Sequence, residues 1–129
     1  MKKLLLISIL LSATVFCNAQ TLICWRAELC KYNASTGEFD PTPFKVDVIS
    51  EAFFNDKWIR INDYQIQLTK VSTRSRDVSG DGIVTVYDVL DENNTEMVAT
   101  VVEDSQGIFK MLLTTDKSDA ATAYYIKNR

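Results

Sequence analysis

From residue 22 onward, short runs of Val, Ile, Thr, Tyr and Phe alternate with clusters of Asn, Asp, Gly and Ser. Runs of this kind, bounded by turn formers, predict β-strands joined by tight connections. The pattern places strands near 22–32, 44–51, 57–61, 64–75, 83–90, 96–103, 108–114 and 121–127. Several keep a period of two. Phe44, Val46 and Val48 share one side with Lys45 and Asp47 opposite, and Ile59 and Ile61 oppose Arg60. Tyr64, Ile66 and Leu68 likewise oppose Gln65, Gln67 and Thr69. Such alternation is that of a half-buried antiparallel strand. Residues 97–102 and 108–113 are apolar on both sides, so their outer face is expected to be covered by a loop, the N-terminal segment or a second subunit. Residues 50–55 also read as a single helical turn. About eight short strands with short connections predict an all-β fold, an antiparallel meander forming a small closed or flattened barrel. Closure removes the exposed edges of an open sheet.

The first 19 residues follow another pattern. Lys2 and Lys3 precede an apolar run over 4–16 broken only by Ser8, Ser12 and Thr14, and Cys17-Asn18-Ala19 follows it. This is the pattern of a secretory signal peptide cleaved after Ala19, leaving 20–129 as one domain, secreted or periplasmic. The run falls short of the roughly 20 residues that span a bilayer, so no transmembrane segment is expected after cleavage. Acylation at Cys17 is the alternative. It is weakened by Thr14 and Phe16, which stand where a Leu and a small residue are usual.

Charge and composition narrow the function. The chain carries 14 basic and 17 acidic residues, and loss of Lys2 and Lys3 takes its charge from −3 to −5. An acidic chain whose basic residues gather no closer than pairs such as Arg74 and Arg76 is a poor candidate for nucleic acid, since phosphates demand Lys and Arg. There is no histidine. That excludes a His general base, Ser-His and Cys-His nucleophile pairs, and the usual zinc sites. The carboxylate pairs Asp91-Glu92, Glu103-Asp104 and Asp116 with Asp119 all fall in expected turns, where acids are solvated rather than poised for acid–base work. No enzyme is expected.

Cys24 and Cys30 lie in one expected strand. Six residues of extended chain hold them roughly 20 Å apart, too far for a disulfide. Even spacing puts them on one side of that strand, as two free buried thiols. A disulfide, which an exported compartment permits, is the alternative.

One stretch carries metal chemistry. Over residues 77–88, Asp77, Ser79 and Asp81 stand at loop positions one, three and five, and Gly82 stands at six. Ile83 would add a carbonyl, Thr85 would act through water, and Asp88 would close the oxygen shell around calcium. The stretch resembles one calcium-binding repeat of a dockerin, which implies a calcium-dependent module that docks cohesin. Dockerins carry two repeats; this chain has one, with Val86 and Tyr87 at the partner-reading positions. The competing reading is a β-hairpin turning at Ser79-Gly80-Asp81-Gly82 with strong strand formers after it.

Trp58 lies on the polar side of its strand and is, with Trp25 and Tyr124, a candidate ligand-facing aromatic. Core packing is the competing role for all three. Tyr124 and Tyr125 point to opposite faces. The leader ending Asn18-Ala19-Gln20, the run of hairpins and the closing Ala123-Tyr124-Tyr125-Ile126-Lys127 strand resemble the small secreted β-proteins of Bacteroidetes. That resemblance implies a lipocalin-like barrel. The expected function is an exported non-enzymatic binding module for a small apolar ligand or a protein partner, with no resident cofactor. The alternatives are a structural protein dimerising around Val98, Val102, Phe109 and Leu113, and the calcium-dependent module.

Overall fold

The computed structural model describes residues 22–115 and 119–128. The leader with Cys17, and Asp116 of the third carboxylate pair, lie outside the described residues. The described residues form nine antiparallel strands: β1 (Leu22–Asn33), β2 (Glu38–Val46), β3 (Ser50–Phe54), β4 (Trp58–Ile61), β5 (Ile66–Ser79), β6 (Gly82–Leu90), β7 (Glu96–Asp104), β8 (Gly107–Thr114) and β9 (Ala120–Asn128). β1 pairs with both β2 and β3, each strand from β3 onward pairs with the next, and β9 returns to β1 from Leu22↔Asn128 to Lys31↔Ala120, closing the sheet into a barrel.

Nine strands make eight staves. β9 occupies one edge of β1 along most of its length, so β2 and β3 share the other. β3 takes Leu22–Cys24 and β2 takes Ala27–Asn33. Asp47, Val48 and Ile49 interrupt this shared stave. Two side chains clamp the interruption. Arg26 Nε donates to Asp47 Oδ1 at 2.6 Å. The Tyr64 hydroxyl donates to the Val48 carbonyl at 2.7 Å and accepts from its N–H at 3.0 Å.

Two expectations change here. β2 begins at Glu38, inside a stretch expected to be a connection, and both of the chain's prolines, Pro41 and Pro43, lie within it. Proline is tolerated because β2 has no strand on its far side, so a missing N–H leaves no ladder broken there. Residues 50–54, read also as a helical turn, form β3, drawn into the sheet by pairing with both β1 and β4.

The connections at 34–37, 62–65 and 91–95 lie at one end, the upper end, and the interior is filled where β3 and β4 complete the wall between β1 and β5. Ile59, Ile61, Leu68, Met111, Val89 and Cys24 are the largest fully buried side chains. They pack with Ala52, Ala99, Val101 and Ile126 as one cluster. Each large apolar side chain so enclosed contributes about 1.5–3 kcal/mol by leaving water.

A register shift between Cys24 and Arg26 reverses the phase of β1. Cys24 pairs with Ile126 and faces the core, whereas Cys30 pairs with Ala121 on the opposite face of the sheet. Both thiols are free and buried, as expected, but the bulge puts them on opposite sides of the wall, not on one.

Candidate functional site

β4 has only four residues, and this decides where the barrel opens. β3 and β4 complete the wall beside the start of β1 and do not reach its end, where β2 pairs, so beside β2 the inner face of the sheet lies open. Inward positions there are exposed although their phase is that of the core. Ala27 registers with Tyr124 and Val46, and Leu29 registers with Thr122. Leu29 is 41% exposed, Val46 54% and Phe44 70%, against 0% for Ile59. Around them runs a groove of about 420 Å³ lined by Ala27, Leu29, Pro43, Phe44, Val46 and Thr122, with Glu28 and Lys45 at its border. Thr122 also borders a second hollow of about 280 Å³ at the barrel mouth. Its floor is Leu113 and Tyr124, and its rim carries Gln65, Asp91 and Glu92.

The electrostatics of this end follow from burial. Enclosure pushes the Tyr124 phenol up to about 12. Its ring meets that of Tyr64 edge-on, with centroids 5.9 Å apart. Burial also raises Tyr64, and it pushes the Cys24 thiol up to about 11. All three stay uncharged at neutral pH, so the floor of the mouth is polar at most by hydroxyl. At the rim, Asp91 Oδ1 accepts from the N–H groups of Asn93 and Thr95, both at 2.8 Å, and so holds its loop in one shape. The Arg26 guanidinium beside Asp47 holds that carboxyl below the usual range.

The three aromatic candidates are not brought together. Tyr124 is buried in the floor of the mouth. Trp58 stands on the outer wall, on the side of its strand away from Ile59 and Ile61. There Arg60 lies 4.6 Å from its ring centroid and Phe53 lies 6.3 Å away. Trp25 packs on Tyr125 with centroids 5.6 Å apart, flanked by Arg26 and Lys127. Tyr125 turns outward, as the alternation of Tyr124 and Tyr125 requires, and its hydroxyl donates to Glu28 Oε1 at 3.2 Å.

The acidic bend at 77–88 is a hairpin. Ser79 pairs with Gly82 across Gly80-Asp81, and Asp77 pairs with Val84. Gly82 is required by space, because a Cβ there would collide with the Glu103 carbonyl oxygen on β7. Asp88 pairs with Ser72, far up the ladder from the turn, and its carboxylate binds Arg74 Nη2 at 2.6 Å and the Ser72 hydroxyl at 3.0 Å. Asp77, Ser79, Asp81 and Asp88 therefore do not converge, because an extended strand of six residues carries Asp88 roughly 20 Å from the turn. Among the described residues no three Cys, Asp or Glu side chains are grouped as a metal site.

The apolar outer face proposed for dimerisation also divides. Leu113 belongs to the core and Val98 is buried beside Asp88 and Thr114. Phe109 is 40% exposed.

Two features of the ends escaped the sequence reading. Leu29 was not marked, although it repeats the apolar phase at the end of β1. Lys70 continues the inward phase of Ile66 and Leu68, registers with Val89, and sets its ammonium 4.1 Å from the centre of the Tyr87 ring. Burial lowers its pKa. A lysine on the apolar side of an alternating strand is the signal that would have found it. Among the described residues no helix is long and apolar enough to cross a membrane. Comparison with protein-family models, with curated proteins and with solved structures gives no match for this chain.

Proposed function

We propose that the chain is an exported, non-enzymatic binding module that holds a protein partner through apolar side chains set into the upper groove. The observation that carries this reading is the exposure of Leu29, Phe44 and Val46 on the inner phase of an otherwise filled barrel. Apolar positions left open together around a groove mark an interaction surface. The filled core speaks against a lipocalin-like carrier that encloses its cargo, since Ile59, Ile61, Leu68 and Met111 occupy the space such cargo would need. A small apolar molecule resting in the mouth above Leu113 and Tyr124 is the second reading, favoured by the hollow of about 280 Å³ there. Selection of short random peptides displayed on phage tests the first. Peptides with a large apolar side chain should be enriched on the wild-type protein and lost on Leu29→Asp. Enrichment indifferent to that substitution would refute the site. Saturable binding of a fluorescent apolar probe, competed by no selected peptide, would favour the second reading.

A further inference from the structure

We propose that the partner held at the groove is a second copy of this chain, related by a two-fold axis so that each copy sets its Phe44 into the groove of the other. This rests on the reading of the groove as a partner site and names what enters it.

The patch carries both parts of such a fit. Phe44 is 70% exposed at the margin, and the groove beside it holds about 420 Å³ over the small side chains of Ala27 and Thr122. A projecting ring and a hollow on one face are complementary to the same face rotated about a two-fold axis, which is the relation of an isologous dimer. A ring so enclosed takes about 150–250 Å² out of water. Beyond Phe44 the chain keeps apolar surface open as far as β3, with Val46, Val48 and Ile49 all exposed. Surface this apolar has the composition of contacts between like copies, whereas surfaces that meet different proteins transiently are no more apolar than the rest of a molecule.

Charge and backbone fit a copy as well. The chain is acidic, so its net charge opposes self-association. The groove adds nothing to that repulsion, because its border has one acid and one lysine, Glu28 and Lys45, opposite each other across the ladder. Pro41 and Pro43 take two N–H donors from the free edge of β2, so copies cannot add strand upon strand there. Contact through side chains about a two-fold axis closes at two copies. Few residues take part on each side, so the dimer is reversible, with a dissociation constant on the order of 10–100 μM, and the groove stands open in dilute solution.

Sedimentation equilibrium of the full mature protein from about 1 to about 500 μM tests this, with circular dichroism to show that each variant is folded. The wild type should pass from monomer to dimer and go no further. Leu29→Asp and Phe44→Ser should each weaken the dimer at least about tenfold. Val78→Asp, a control at a comparably exposed apolar position on β5, should leave it unchanged. A peptide selected on the groove should dissociate the dimer. A dimer indifferent to both groove substitutions, or assemblies that keep growing with concentration, would overturn the proposal. A monomer at every concentration, with peptides still enriched on the wild type and lost on Leu29→Asp, would overturn the second copy and leave the groove standing as a site for another protein. A monomer that enriches no peptide would overturn both.

Discussion

Where β3 and β4 complete the wall, and where β2 stands alone beside β1, inward positions of the same phase meet opposite fates. In the walled part Ile59, Leu68 and Met111 are 0–1% exposed. Beside β2, Leu29 and Val46, equally apolar and equally inward, are 41% and 54% exposed. Hydrophobicity does not separate them; the length of the neighbouring staves does. β3 and β4 have five and four residues, so they wall only part of the barrel. Burial here is a property of topology. The unpaired edges differ in the same sense. β2 is guarded by Pro41 and Pro43 with apolar side chains left open beside them. The far end of β5 is guarded by register shifts near Val71 and Arg74 and carries mostly Ser, Thr, Arg and Asp. Bulges, charge and proline each hinder edge-to-edge association; β2 leaves Phe44 and Val46 open beside its prolines, whereas β5 leaves Val71 and Val78 open among polar residues.

The sharpest way to break this comparison is to truncate one residue in the walled part and one beside β2. Met111→Ala should destabilise the fold by about 2–5 kcal/mol, because the surrounding side chains leave a void that collapses only partly. Leu29→Ala should change stability by no more than about 0.5 kcal/mol, as for most exposed positions. Its effect should fall on binding instead. Equilibrium denaturation of both variants checks the pair. A Leu29→Ala loss as large as that of Met111→Ala would mean that the inner face beside β2 is packed in solution and the groove closed.

Tyr124 belongs both to the core cluster and to the floor of the mouth, and its ionisation probes how dry that floor is. Its pKa is raised from the usual 10.0 to about 12 in the folded protein. Below pH 10 the phenol is neutral folded and unfolded, and the stabilisation is fully present. Above it the unfolded chain loses the proton first, so stability falls until the folded phenol also ionises near 12. A shift of this size corresponds to about 2–3 kcal/mol across that window. Cys24 and Tyr64, raised by the same burial, act with the same sign. Denaturant midpoints measured across that window should fall, and Tyr124→Phe should remove part of the slope. A flat profile would mean that water reaches the floor of the mouth.

How far the sequence was legible divides along the same line. Strand content, antiparallel pairing and the hairpin at Gly80-Asp81 were readable, because alternation and turn chemistry are local and near neighbours settle them. Pro41 and Pro43 misled, since proline argues against a strand unless one knows that its edge is free, which is a fact about strand order. The facing of Cys24 and Cys30 misled for a similar reason. A single bulge at Trp25 reverses everything after it, and no residue type announces it. The groove was half visible: Phe44 and Val46 showed their apolar phase, but its exposure depends on β4 ending at Ile61. Trp25 and Trp58 attracted notice as aromatics, whereas the open positions are mostly aliphatic.

The smallest expected effect belongs to the upper rim, where local geometry is held against its own preference. Gln65 closes the β4–β5 connection at φ 55°, in the left-handed region. A side chain there costs roughly 1–2 kcal/mol relative to ordinary backbone, because Cβ crowds the following carbonyl, and glycine is free of that crowding. Gln65→Gly should therefore raise stability, by about 1 kcal/mol or less, once the greater freedom of glycine in the unfolded chain is subtracted. Among the described residues the opposite end has no such non-glycine residue, because positive φ at its turns falls on Gly82 and Gly107. Gln65 also borders the mouth. If the strained residue is retained for contact with the partner, Gln65→Gly will unfold at a higher denaturant concentration and bind the selected peptides more weakly. A variant more stable with undiminished binding would show instead that the strain at this position serves no contact in the groove.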